Sequence, residues 1–191
     1  MGIAQVSGAR RAVFLDRDGV LNEAVVRDGK PYSPAGLNEV VIPADVPEAL
    51  RGLRAAGFAL IVVTNQPDVA RGIQPRAVVE EINAALRAEL SLDDIFVCYH
   101  DDSDGCACRK PQPGLLLQAA GEYRIDLARS FMVGDRWRDV EAGRRAGCLT
   151  VRLEGHYRED GPDSPPDFIA RSLFEAASWI LKHPVSMGGW A

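Results

Sequence analysis

Asp16 and Asp18 stand two residues apart, at the point where an apolar run gives way to a glycine turn at Gly19. A second apolar run ends in Thr64-Asn65-Gln66. A third ends in Gly134-Asp135, with Asp139 four residues further on. Arg109-Lys110-Pro111 is a cationic step just ahead of a helical pattern. Carboxylates gathered at one place suit a hard cation such as Mg2+, which keeps several waters and a phosphate oxygen in its shell. A threonine hydroxyl and a lysine beside them complete an anion site.

A second group is Cys98 and His100 followed by Cys106 and Cys108. Three thiolates and an imidazole match a closed tetrahedral Zn2+ site with no open position for water, so such a metal is structural. Its expected task is to fix the loop that ends in Arg109 and Lys110. Cys148 stands apart in an apolar stretch and reads as a buried thiol.

For Asp16, Thr64 and Asp135 to meet, the runs before them must be parallel strands that share one C-terminal edge. Strands are predicted at Ala12–Leu15, Phe58–Val63, 95–97, 131–133 and 148–153. Between them, Val46, Leu50 and Leu53 mark a helix capped by Asp45 and stopped by Gly57. Val78, Ile82, Leu86 and Leu90 mark a second, and Leu115–Tyr123 and Trp137–Ala146 two more. This alternation predicts a three-layer α/β domain with a central parallel sheet and helices on both faces. The stretch from Gly19 to Ala44 has no clear period and follows the first strand directly, where such sheets build ligand loops. No segment between the motifs is long enough for a large cap domain. An open site is therefore expected, bordered by Gly19–Ala44, Pro67–Gly72 and the zinc loop.

After Leu153 the chain is polar and proline-rich up to Pro166, with His156 and Tyr157 read as surface residues. Asp167 is expected to cap a last helix over about residues 167–182, with Ile169, Leu173, Ala177 and Ile180 on one face. Trp179 and Trp190 read as packing and tail residues, and 184–191 as a loose end. The whole is expected to be one domain, 1–191, with its core over about 11–153.

The chain has 191 residues, 47% of them hydrophobic, which is enough apolar matter for a core and excludes disorder. A formal charge of −5 argues against sequence-independent binding to nucleic acid or anionic membranes. The longest apolar run, Phe58–Val63, is far short of the roughly 20 residues a bilayer span needs. The first eleven residues hold no apolar signal-peptide core. A cytoplasmic monomer acting on a small molecule is the expectation.

D-R-D-G-V at Asp16, T-N-Q at Thr64, C-R-K-P at Cys108 and V-G-D at Val133 together resemble the haloacid dehalogenase superfamily of phosphotransferases, over about Arg11 to Arg152. The resemblance implies that Asp16 attacks phosphorus, Asp18 is the general acid and base, and Thr64 holds the phosphoryl oxygens. It implies that Lys110 neutralises phosphate and nucleophile, and that Asp16, Asp18 and Asp135 hold Mg2+. Asp16 is then expected ionised and Asp18 protonated before the first step. The cysteine cluster beside C-R-K-P resembles the histidinol-phosphatase-type branch, whose members act on heptose 1,7-bisphosphate, in nucleotide-heptose and surface-polysaccharide precursor synthesis, or on histidinol phosphate. That branch implies substrate contacts from Arg17, Asn65, Arg109 and Arg136. Its T-N-Q-S-G-I-A-R-G reads T-N-Q-P-D-V-A-R-G here, with Pro67-Asp68 as the departure.

Overall fold

The computed structural model describes residues 9–155 and 165–185. The chain runs from strand β1 (Ala12–Leu15) through an antiparallel hairpin, β2 (Val25–Arg27) and β3 (Lys30–Tyr32), into helix α1 (Val46–Ala55). Strand β4 (Ala59–Asn65), helix α2 (Arg76–Leu90) and strand β5 (Asp94–Cys98) follow. Helix α3 (Gly114–Tyr123), strand β6 (Phe131–Gly134), helix α4 (Trp137–Ala146) and strand β7 (Leu149–Leu153) continue the alternation. A short strand β8 (Phe168–Ala170) and helix α5 (Leu173–Lys182) come last.

Six strands form one parallel sheet in the order β5-β4-β1-β6-β7-β8. A parallel sheet is covered on both faces, so its strands are apolar throughout rather than alternating. Val13, Leu15, Leu60 and Val62 pack on one face against Leu50 and Leu53 of α1, Ile82 and Leu86 of α2, and Ile180 of α5. Phe14, Ile61, Val63 and Met132 pack on the other against Leu115, Leu116 and Ala119 of α3 and Ala142 of α4. The three layers expected from the alternation are therefore present. β1 lies between β4 and β6, and the chain fills one side of β1 before crossing to the other. Connections diverge at such a switch point and leave a crevice at the C-terminal strand ends.

The period-free stretch after β1 contains the β2–β3 hairpin, which turns at Asp28 and Gly29, both with positive φ. It is a small flap rather than a cap domain.

Two boundaries differ from the sequence reading. Asp45 does not cap α1; its carboxylate accepts the Phe174 N–H at 3.0 Å, in the first turn of α5. The expected helix from Asp167 begins later. Phe168–Ala170 instead extends the sheet beside β7, and Asp167 accepts bonds from Thr150 N at 2.7 Å and Thr150 Oγ1 at 2.9 Å. Ser172 caps α5, its hydroxyl accepting the Glu175 N–H at 3.2 Å. Trp179 then stacks on Phe168 with ring centroids 5.0 Å apart and meets Phe131 edge-on at 5.9 Å. His156, Tyr157 and Trp190 lie outside the described residues, as do most of the proline-rich segment and the last six residues. No helix among the described residues is long and apolar enough to cross a membrane.

Candidate active site

The ends of β1, β4 and β6 bring their polar residues to one edge. Asp16 continues β1, its N–H donating to Val133 O at 2.9 Å. Asp16, Asp18, Thr64, Asn65, Arg109, Lys110, Arg136 and Asp139 all line one cleft of about 410 Å³. That volume lies in the usual range of small-ligand sites.

Lys110 is the buried cation of the cleft, 2% exposed. Its Nζ lies 2.8 Å from Asp16 Oδ1 and 2.5 Å from Asp139 Oδ1. Burial acts to lower its pKa, and Asp139 and Asp16 more than offset that, so it stays charged. Asn65 braces its backbone from both sides, donating to Lys110 O at 3.0 Å and accepting from Lys110 N at 3.1 Å.

Asp16, Asp135 and Asp139 form a carboxylate cluster with oxygens within 4.8 Å of one another. Burial pushes the Asp16 carboxyl up to about 6, with Lys110 pulling the other way and Asp139 adding to the rise. Burial, Asp16 and Asp139 together hold Asp135 well above the usual carboxylate range. Three carboxylates against one lysine leave an excess of negative charge that a hard divalent cation would neutralise, and the all-oxygen donor set fits Mg2+. Two glycines make the approach possible. A Cβ on Gly19, whose φ is +87°, would stand 1.9 Å from Asp135 Oδ2. A Cβ on Gly134 would stand 2.2 Å from Asp139 Cβ.

Asp18 is held differently. Arg17 donates to both its oxygens, Nε to Oδ1 at 3.1 Å and NH2 to Oδ2 at 3.0 Å. Asn22 Nδ2 and Gln66 Nε2 donate to it at 2.9 and 3.0 Å, and the Ser33 hydroxyl lies 2.7 Å from Oδ2. Burial acts to raise Asp18, but the Arg17 charge and these hydrogen bonds outweigh it and hold the carboxyl below its ordinary value. Gln66 also donates to Thr64 Oγ1 at 3.0 Å, which fixes the hydroxyl that borders the cleft.

The cysteine cluster closes beside this edge. Cys98 ends β5, and a short turn over Asp102–Asp104 returns the chain to Cys106 and Cys108. The sulfur–sulfur separations are 3.0, 3.4 and 3.7 Å, and His100 Nδ1 lies 3.2 Å from Cys108 and 3.6 Å from Cys98. Ligands about 2.0–2.3 Å from one tetrahedral ion stand roughly 3.3–3.8 Å apart, so these four donors are drawn together at or slightly inside the spacing of a zinc site.

The residues of this edge can be compared with those of known proteins. A HAD-hydrolase-like family model matches residues 107–176. The D-glycero-beta-D-manno-heptose-1,7-bisphosphate 7-phosphatase of Pseudomonas aeruginosa is 39% identical over 153 residues, covering 76% of this chain and 82% of its own. Its Escherichia coli namesake is 35% identical over 182 residues, covering 89% and 87%. The crystal structure of D,D-heptose 1,7-bisphosphate phosphatase from B. bronchiseptica, with magnesium and phosphate, aligns with TM-score 0.75 and 30% identity over 90% of this chain and 98% of that one. The chain belongs to the haloacid dehalogenase superfamily. It is a phosphatase of that superfamily, with the superfamily's parallel sheet.

Within this haloacid dehalogenase phosphatase, Asp16, Asp18, Thr64, Asn65, Arg109, Lys110 and Arg136 line the cleft, Asp135 stands behind them in the carboxylate cluster, and Arg17 is set apart. Its guanidinium is 0% exposed and points away from the cleft, binding Asp18 and, through NH1, Asn83 Oδ1 at 2.9 Å. Side chains of an extended segment alternate, so Asp16 and Asp18 can face the cleft only if Arg17 faces the core. From there it holds a carboxylate rather than bordering the cleft. The pKa split is also reversed in the free site: Asp16 is raised and Asp18 lowered, because the arginine serves Asp18 and the carboxylate crowd surrounds Asp16. The sequence reading left Asp139 without a role; it is 2% exposed, binds Lys110 and accepts the Arg136 N–H at 3.0 Å. Gln66 was named only as part of T-N-Q, without a role, whereas Ser33 and Asn83 were missed, and nothing in their spacing marks them.

Proposed function

We propose that this phosphatase is Mg2+-dependent, works through an aspartyl-phosphate, and removes the 7-phosphate of a heptose 1,7-bisphosphate. The observation that carries the chemistry is the contrast between two carboxylates on one short segment. Asp16 belongs to a carboxylate cluster beside Lys110, while Asp18 sits outside it in its own hydrogen-bonded cradle. One carboxylate attacks and the other moves protons.

In the first step an Asp16 oxygen attacks phosphorus and the ester P–O bond breaks. The Asp18 carboxyl gives its proton to the departing alkoxide. In the second step the Asp18 carboxylate takes a proton from water. The water oxygen attacks phosphorus, and inorganic phosphate leaves with Asp16 restored as a carboxylate. The negative charge of an arriving phosphate raises Asp18 towards the protonated form that the first step needs. Lys110 and Thr64 hold the phosphoryl oxygens, and positioning with charge stabilisation supplies most of the rate. Asp16 and Asp135 of the carboxylate cluster would hold Mg2+, whose charge would keep Asp16 ionised and screen the phosphoryl group. A structural Zn2+ on Cys98, His100, Cys106 and Cys108 would fix the loop that carries Arg109 and Lys110.

The rim supports a substrate with a second anionic group. Lys30, Arg71, Arg109, Arg136 and Arg138 line the cleft against Asp68 and Asp102. Histidinol phosphate would place an amine there and call for an available carboxylate. The loop aspartates already face guanidinium groups, so an amine there would meet cations: Asp101 pairs with Arg71 at 2.6 Å, Asp102 with Arg109 at 2.8 Å and Arg138 at 2.9 Å, and Asp104 accepts the Asp101 N–H at 2.7 Å. The Pro67-Asp68 departure joins the same network, since Asp68 pairs with Arg71 at 3.2 Å. A sugar bisphosphate in carbohydrate metabolism is thus the reading the rim favours.

The test is phosphate release from heptose 1,7-bisphosphate, fructose 1,6-bisphosphate and histidinol phosphate, with the remaining ester located by phosphorus NMR. The expected outcome is the highest kcat/KM on the heptose with the 1-phosphate retained. A higher kcat/KM on histidinol phosphate would overturn the substrate assignment.

A further inference from the structure

Two pairs of consecutive residues, Arg109-Lys110 and Arg138-Asp139, face each other across the cleft. The inner members meet through Lys110 Nζ and Asp139 Oδ1 at 2.5 Å. The outer members meet on a third residue. Arg109 Nε and Arg138 NH1 both donate to Asp102 Oδ1, at 2.8 and 2.9 Å, and Arg109 NH2 reaches Oδ2 at 3.3 Å. Two guanidinium groups thus share one carboxylate, and Arg109 NH2 also lies 4.0 Å from Asp101 Oδ1. Asp102 is 54% exposed, and exposed ion pairs are held weakly. A guanidinium fork takes phosphate oxygens in the same geometry as carboxylate oxygens, and a dianion satisfies two forks where a carboxylate carries a single charge.

We propose that Asp102 is a placeholder anion which gives way to the uncleaved phosphate of a bisphosphate substrate, and that Arg138 is a specificity-determining residue for that phosphate. The inference rests on the phosphatase reading above and goes beyond it. It assigns Arg138 and Asp102 opposite effects on one quantity, the preference for a bisphosphate over the monophosphate that shares its scissile ester. Arg138 favours the second phosphate; Asp102 competes with it. A carboxylate that merely braced the loop would not produce that opposition.

The experiment compares kcat/KM for heptose 1,7-bisphosphate and heptose 7-phosphate in the full-length protein and two variants. Arg138→Ala is expected to lower the bisphosphate-to-monophosphate ratio by about tenfold. Asp102→Asn keeps the shape, loses the competing charge, and is expected to raise the ratio by roughly threefold. Where the heptoses are not turned over, fructose 1,6-bisphosphate and its two monophosphates give the same ratio, so failure of the substrate assignment is read separately. Ratios that stay fixed in both variants, or fall in both, would overturn the proposal. So would an unaltered protein that is indifferent to the second phosphate.

Discussion

Arg17 grips its own neighbour Asp18 through both carboxylate oxygens, at 3.1 and 3.0 Å, from a position wholly enclosed by the core. The cationic residue between the two aspartates therefore acts through one of them rather than on the substrate. Arg17→Gln is expected to lower kcat by roughly 10- to 100-fold while KM changes little, because a misplaced acid–base group slows chemistry without removing a substrate contact. Steady-state kinetics on a sugar bisphosphate check this; a rise in KM at constant kcat would return Arg17 to substrate binding.

The carboxylate cluster predicts a pH-dependent response to metal. Asp16, raised to about 6, and Asp135, raised well above its usual value, bind protons more tightly in the folded chain than in the unfolded one. Their stabilisation is full below about pH 4, and it is lost as pH rises through 6 and beyond. Asp18 is lowered, so its contribution changes only below about pH 4 and is constant in this window. Metal-free protein should therefore lose melting temperature between pH 4.5 and pH 7 as these two sites ionise, and Mg2+ should restore more of it at the higher pH. Thermal unfolding with Mg2+ or with EDTA at both pH values measures it. An Mg2+ effect that is equal at both, or larger at the lower pH, would contradict this electrostatic account.

Much of this was legible in the sequence, for physical reasons. Buried parallel strands read as unbroken apolar runs, and Asp16 and Asp135 stand where those runs stop. Legibility failed where two signals competed. Ile169, Leu173, Ala177 and Ile180 keep helical spacing across a break, so strand β8 was absorbed into the following helix. The break has its own mark, the S-x-x-E pattern of Ser172 and Glu175, in which the serine caps the first turn. The hairpin before α1 was hidden in a stretch without period, although Asp28-Gly29 is a strong two-residue turn signal. Arg17 was misplaced because its charge outweighed the alternation rule that sends it inward. Asp139 was seen but left unassigned, since only the fold brings the first turn of α4 to Lys110.

The zinc loop predicts a metal that cannot be washed out. Protein purified without added zinc should carry one Zn2+ per chain, resistant to EDTA that strips Mg2+. Cys106→Ser should lower zinc content and weaken activity by loosening the segment that holds Arg109 and Lys110. Elemental analysis of both proteins decides it, and chains free of zinc yet fully active would remove the site.

Asp18→Asn cannot protonate a departing alkoxide. Its activity on a sugar phosphate should fall about 10²- to 10⁴-fold, the usual worth of general acid–base catalysis. The loss in the first displacement, read as the rate of the initial burst of released alcohol or phenol, should be smaller on an aryl phosphate, whose oxygen leaves without help. Equal losses on both substrates would deny Asp18 the acid's role.

The same variant gives the most direct test of the central claim, that Asp16 carries the phosphoryl group. With an aryl phosphate and Mg2+, Asp18→Asn should complete the first displacement and stall at the second, which needs a base to deprotonate water. Acid quenching followed by peptide mass spectrometry should then find one phosphoryl group on Asp16, in amounts approaching one per chain, and none in the Asp16→Asn, Asp18→Asn double variant. Continued turnover with Asp16 unmodified, or the phosphoryl group on any other residue, would contradict the account.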